Sequence, residues 1–221
     1  GILSGDLNKA IDRHATSKLH SHADLAVAAC NARKHLFLEK PMAMTTSDCL
    51  RIHRAMKEAD VKLMIDFSIR FSGAARLIKE QIGSPLVSHG QCMMNKADLS
   101  RWRWHPEEGG GPLYDIGCYA ILTGCLLFGG IPEVVSAIAI MNDKYDVEKQ
   151  VDAVLRWPNG AILNFTVSGD AALCQTLNVL ASNGWAKLNV PVNPPEITHA
   201  YWSTGGLEKG TKVNFPKCNQ Y

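Results

Sequence analysis

From residue 134 onward the chain reads as one short apolar strand after another: Val134 to Met141, Val151 to Trp157, Ala161 to Val167, Thr176 to Ala181, Trp185 to Val190, Thr198 to Ser203 and Lys212 to Phe215. Pro158-Asn159-Gly160 and Ser182-Asn183-Gly184 are hairpin signals, and Gly205-Gly206 is placed to join the last two strands. Strands joined by such short turns pair antiparallel, because a parallel pairing needs a crossover of a dozen or more residues. This half is therefore expected to form a large, mainly antiparallel open sheet, with Leu86 to Met94 as a further strand and a helix over 112 to 128. Asp152, Val154 and Arg156 alternate too loosely with their neighbours to say which face is buried. A large open sheet usually has its second face covered, and a second copy of the chain is a simple cover, so a homodimer or homotetramer is expected.

The first third follows a different rule. Leu7 to His14 can form a short helix, and a second helix runs from His22, with apolar residues at Leu25, Ala28 and Ala29 and with Arg33-Lys34 set against its C-terminal dipole. His35 to Leu38 is a short apolar strand that stops at Glu39-Lys40-Pro41. Thr46 or Ser47 then caps a helix through Glu58, Val61 to Phe67 is a second buried strand, and Ala74 to Ile82 another helix. Helices alternating with short apolar strands mark a parallel, doubly wound sheet. Two domains are expected, 1–67 of α/β type and 68–221 with the open sheet.

Composition narrows the function classes. A net charge of +2 over 221 residues gives no electrostatic argument for nucleic acid or an anionic membrane. The longest apolar runs, Ala120 to Ile131 and Val134 to Met141, fall short of the roughly 20 residues of a membrane span. Seven cysteines without a Cys-x-x-Cys pair read as reduced thiols in a cytosolic protein, not as a disulfide framework or zinc site.

Chemistry concentrates between Trp102 and Phe128. Three glycines, 109 to 111, free the backbone, and Pro112 suits the first turn of a helix. In an α-helix starting there, Asp115 and Tyr119 stand at i and i+4 on one face. The N-terminal dipole would help the phenol lose its proton. The competing reading is a buried helix whose tyrosine satisfies a hydrogen bond.

Lys-His-Leu-Phe-Leu-Glu-Lys-Pro-Met-Ala at 34–43, Trp-Arg-Trp at 102–104 and Gly-Gly-Gly-Pro-Leu-Tyr-Asp-Ile-Gly-Cys-Tyr at 109–119 together resemble the Gfo/Idh/MocA oxidoreductases. Tyrosine at position 119, where many members carry histidine, is similar to the branch of glucose-fructose oxidoreductase and dihydrodiol dehydrogenase. The resemblance implies a Rossmann domain followed by a domain with a large open sheet, and hydride transfer between NAD(H) or NADP(H) and a sugar-like or cyclic diol substrate. It implies Lys40 as the catalytic lysine, Asp115 as the motif aspartate and Tyr119 as the proton-transfer group. These roles are chemically coherent. Oxidising a secondary alcohol needs a base within roughly 3 Å of the hydroxyl, and a phenol of pKa about 10 needs a neighbouring ammonium to serve near neutrality. Asp115 would then orient Lys40 or a substrate hydroxyl, with Arg70 and Trp102 as further substrate contacts. A fold relative that senses cofactor or sugar without turnover is the alternative.

For the cofactor, Ser4 and Lys9 follow what reads as the second Rossmann strand, and a serine with a reachable lysine suits a 2'-phosphate, favouring NADP with NAD possible. Asp6 argues the other way. His22, Glu39, Lys40 and Arg103 are the remaining cofactor candidates; Arg103 can equally make a surface salt bridge, and His22 can equally hold a loop. No Gly-x-Gly-x-x-Gly follows any strand. The resemblance implies about one further βαβ portion between Asp6 and His22, which here lie only sixteen residues apart, so the sequence is expected to lack part of the Rossmann domain, with a join near His14 to His20.

Overall fold

The computed structural model describes residues 18–67, 80–93, 102–192, 199–205 and 210–215. These divide into two compact units, one holding the residues up to Phe67 with the segment 105–110, the other holding the rest.

The first unit contains α1 (His22–Asn31), β1 (Leu36–Glu39), α2 (Thr46–Glu58) and β2 (Leu63–Asp66). β1 and β2 pair in parallel, Leu36 against Leu63 through Glu39 against Asp66. The face α1 buries is Ala23, Ala26 and Cys30, not Leu25 and Ala28, which are exposed. Small side chains let the helix lie close on the core formed with Leu36, Leu38 and Ile52, and the larger Leu25 points outward. Both helices end in Schellman geometry. Arg33 and Asp60 take left-handed φ of 54° and 51°, and Lys34 N and Val61 N donate back to Ala29 O and Met56 O. The cap of α2 is Thr45, one residue before the expected Thr46 or Ser47. Its hydroxyl accepts from Asp48 N at 3.0 Å and donates to Asp48 Oδ2 at 2.8 Å. β2 is half-exposed, since among the described residues it pairs on one side only, so the expectation of a buried strand is corrected.

The second unit is built on β3 (Pro85–Met93), α3 (Cys118–Phe128), β4 (Glu133–Met141), β5 (Glu148–Arg156), β6 (Ile162–Ser168), β7 (Cys174–Ala181), β8 (Gly184–Asn189), β9 (His199–Ser203) and β10 (Thr211–Asn214). The eight strands form one sheet in the order β10-β9-β8-β7-β3-β6-β5-β4. Only β3 and β6 pair in parallel, so the sheet is mainly antiparallel as expected. The period-2 pattern that the sequence left open is resolved: Val151, Ala153 and Leu155 are buried, while Asp152 and Val154 face the half-exposed side. Leu163, Phe165 and Val167 of β6 continue the buried face. Each such aliphatic side chain, fully buried, contributes roughly 1.5–3 kcal/mol.

Helix α3 packs on the buried face, and Gly124 is what lets it approach. A Cβ there would lie 2.4 Å from Trp157 Cη2 and 3.1 Å from Leu163. Trp157 stacks edge-on against Phe128 at 4.9 Å and donates through Nε1 to Gly130 O at 3.2 Å, joining the end of α3 to the sheet. The apolar stretch Pro106–Phe128 is long enough to cross a bilayer by composition. Half of its most apolar window is buried, and left-handed Gly109 and Gly111 (φ 80° and 100°) break it, which is the pattern of a core helix and its lead-in. Strand β4 is the sheet edge and is exposed along its whole length, with Val134 at 68% and Ile138 at 64%.

Residues 80–82 are the last turn of the helix expected over 74–82. The remainder of that helix, the expected helix 7–14 and the Gly206 end of the last turn lie outside the described residues.

Candidate active site

In the first unit, the candidate groups gather where β1 ends. In parallel sheets this carboxyl end is where ligands bind, because helix N-termini and loops converge there. Glu39 closes the strand level with Asp66, and Lys40 N donates to Glu39 Oε2 at 2.9 Å. The Lys40–Pro41 peptide is cis. His22, the first residue of α1 and 4% exposed, lies with Nδ1 3.0 Å from Pro41 O. A carbonyl only accepts, so Nδ1 carries the proton and His22 holds the loop that follows Lys40. Of its two readings, the hydrogen-bonding one is the one seen in these contacts.

In the second unit, the segments on either side of 105–110, Trp102–Trp104 and Gly111 onward, meet again. Trp102–Trp104 make a 3₁₀ turn with Trp104 buried, and Gly111 N donates to Arg103 O at 2.8 Å. That reversal brings Arg103 to Asp115: Nε donates to Oδ2 at 2.6 Å, and the aspartate side chain is only 7% exposed. The guanidinium also lies 4.9 Å over the Trp102 ring. Arg103 therefore makes the salt bridge considered from sequence, but a partly buried one rather than one on the surface.

The helix expected from Pro112 starts there but not as an α-helix. Leu113–Gly117 form a π-turn, and only at Cys118 does α3 take over. Asp115 thus stands on the π-turn and Tyr119 in the first turn of α3. Asp115 is buried; Tyr119 is half-buried and packs against the sheet core, its carbonyl accepting from Thr123 Oγ1 at 2.7 Å. The N-terminal field is met by a residue the sequence did not single out, Glu148 of β5, whose Oε1 accepts from Leu113 N at 2.9 Å. Leu113 itself is exposed.

The described structure thus joins Arg103 with Asp115, Trp102 with Arg103, and Glu39 and Lys40 with the loop held by His22. Lys40 belongs to one unit, and Asp115 and Tyr119 to the other. Ser4, Lys9 and Arg70 lie outside the described residues. Among the described residues no group of His, Cys, Asp and Glu gathers as a metal site would, and five cysteines are free thiols.

Residues 71–187 match the model of the GFO/IDH/MocA C-terminal domain, and residues 13–67 match that of the oxidoreductase family with an NAD-binding Rossmann fold. A D-xylose 1-dehydrogenase (NADP(+)) of Haloferax volcanii is 27% identical over 189 residues, 81% of this chain and 58% of the relative. The trans-1,2-dihydrobenzene-1,2-diol dehydrogenase of Bos taurus is 26% identical over 206 residues, 89% of this chain and 58% of the relative. A 3-ketoreductase from Actinomadura kijaniata, crystallised with NADP and TDP-benzene, superposes with a TM-score of 0.83 at 22% identity, over 92% of this chain and 64% of that one. The chain spans little more than half the length of the two curated relatives.

Proposed function

The chain belongs to the GFO/IDH/MocA family of oxidoreductases, and we propose that it acts in hydride transfer between NADP(H), or NAD(H), and a CH–OH group of a sugar-like or cyclic diol substrate. The single observation that carries this reading is the built segment 111–119, in which a buried aspartate held by Arg103 on the π-turn and a half-buried tyrosine at the start of α3 follow a cap supplied from the sheet. The dehydrogenase relatives bear names of the same reaction class.

The donor set at the end of β1 suits a nicotinamide nucleotide: an acid, an ammonium and a tethered loop at the carboxyl end of parallel strands. Glu39, Lys40 and His22 would hold or frame it, with Ser4 and Lys9 favouring a 2'-phosphate. When bound, the nicotinamide supplies the hydride acceptor. Tyr119 takes the hydroxyl proton as the C–H bond breaks and returns it in the reverse direction. The resemblance gives Lys40 the part of the ammonium that favours phenolate and stabilises the developing carbonyl oxygen. Asp115 orients a substrate hydroxyl, Arg103 secures Asp115, and Trp102 and Arg70 border the substrate.

The test is the nicotinamide absorbance change when the protein meets NADP and a panel of sugars and cyclic diols. Tyr119→Phe is expected to lower turnover by about 100-fold or more while sparing cofactor binding; near-normal turnover in that variant refutes the role given to Tyr119. The free thiols fit a reducing, cytoplasmic setting. A second copy of the chain covers the open sheet, a reading supported by the exposed apolar edge strand β4.

A further inference from the structure

We propose that Glu148 is a positioning residue for Tyr119, acting through the backbone of the π-turn. This rests on the proton-transfer role given to Tyr119 above. Three observations converge on Glu148. Its carboxylate accepts the Leu113 N–H, the first donor of the segment that carries Asp115 and Tyr119. The carboxylate fills the space beside Gly111, where a Cβ would lie 2.3 Å from Oε1, and Gly111 has the left-handed φ of 100° that a side chain rarely adopts. The turn it caps is a π-turn, which carries one residue more per turn than an α-helix and so depends on contacts outside itself to persist. Arg103 fixes the middle of this turn through Asp115, and Glu148 fixes its start. With both ends of Leu113–Asp115 anchored, the residues that follow enter α3 at a set rotation, and that rotation aims Tyr119.

The experiment compares Glu148→Ala and Glu148→Gln by site-resolved amide hydrogen exchange and by steady-state kinetics on the full chain. Glu148→Ala is expected to speed exchange at amides 113–119 about tenfold. It is also expected to lower kcat per folded protein by tenfold or more, with the KM for cofactor unchanged. Glu148→Gln keeps an acceptor oxygen and restores both readouts. Gly111→Ala, which displaces the same carboxylate from the other side, reproduces the alanine phenotype. Unchanged exchange in Glu148→Ala overturns the proposal, as does faster exchange with unchanged kcat. A wild-type protein that turns over no alcohol retires the proton-transfer reading instead, and exchange then decides the cap alone.

Discussion

Asp115 is a carboxylate almost wholly removed from water, and its hydration is replaced by a charge-assisted bond from Arg103 Nε at 2.6 Å. Asp115→Ala would leave a guanidinium, itself only a quarter exposed, without that acceptor. The expected cost is about 2 kcal/mol, read as a lower urea midpoint at unchanged m-value. Asp115→Asn keeps an acceptor and should cost less. Both residues were legible in the sequence as motif members, but their pairing was not, because it depends on the reversal through Gly109 and Gly111 that returns residue 115 to residue 103. Glu148 was illegible for the same reason at longer range: thirty-five residues separate it from Leu113, and nothing near it in sequence marks a cap.

Between α3 and the sheet, two effects of Gly124 oppose each other. Alanine would favour the helix by up to about 1 kcal/mol, yet its Cβ would enter the rigid, 2% exposed ring of Trp157. Overpacking of this kind costs about 1–3 kcal/mol, so Gly124→Ala is expected to lower Tm despite its better propensity. The same competition explains which elements could be read from residues alone. Strands β4 to β10 were readable because their apolar runs are short and their turns explicit. The sheet face was not, since half-polar rows such as Asp152, Thr166 and Gln150 are tied by hydrogen bonds, from Thr166 across to Asp152 and from Gln150 along β5 to the same carboxylate, not by burial. The π-turn was invisible too: its residues have no distinct propensity, and the contacts at it, from Arg103 and Glu148, come from outside the turn.

At the scale of the whole chain, the pattern change from alternating helices and strands to successive strands marked two kinds of architecture, and the described residues form two units. The return of 105–110 to the first unit had no sequence signal. Chemical accessibility follows from this packing. Burial pushes the Cys30 and Cys125 thiols above the ordinary range, while Cys174 is exposed. Site-resolved alkylation at neutral pH should therefore modify Cys174 well before Cys30 and Cys125, which react only on unfolding or at higher pH. Assembly through the sheet predicts that Ile138→Lys, on the exposed edge strand, shifts the mass measured by light scattering toward the monomer without lowering Tm. The proposed chemistry needs the Lys40 ammonium to serve the Tyr119 phenol, and a double-mutant cycle on turnover tests that need most directly. Lys40→Met and Tyr119→Phe should each lower kcat/KM by about 100-fold, and the double variant should be little worse than either, as for groups that act as one device. Losses that multiply to about 10,000-fold would show that the two side chains act independently and would contradict the account.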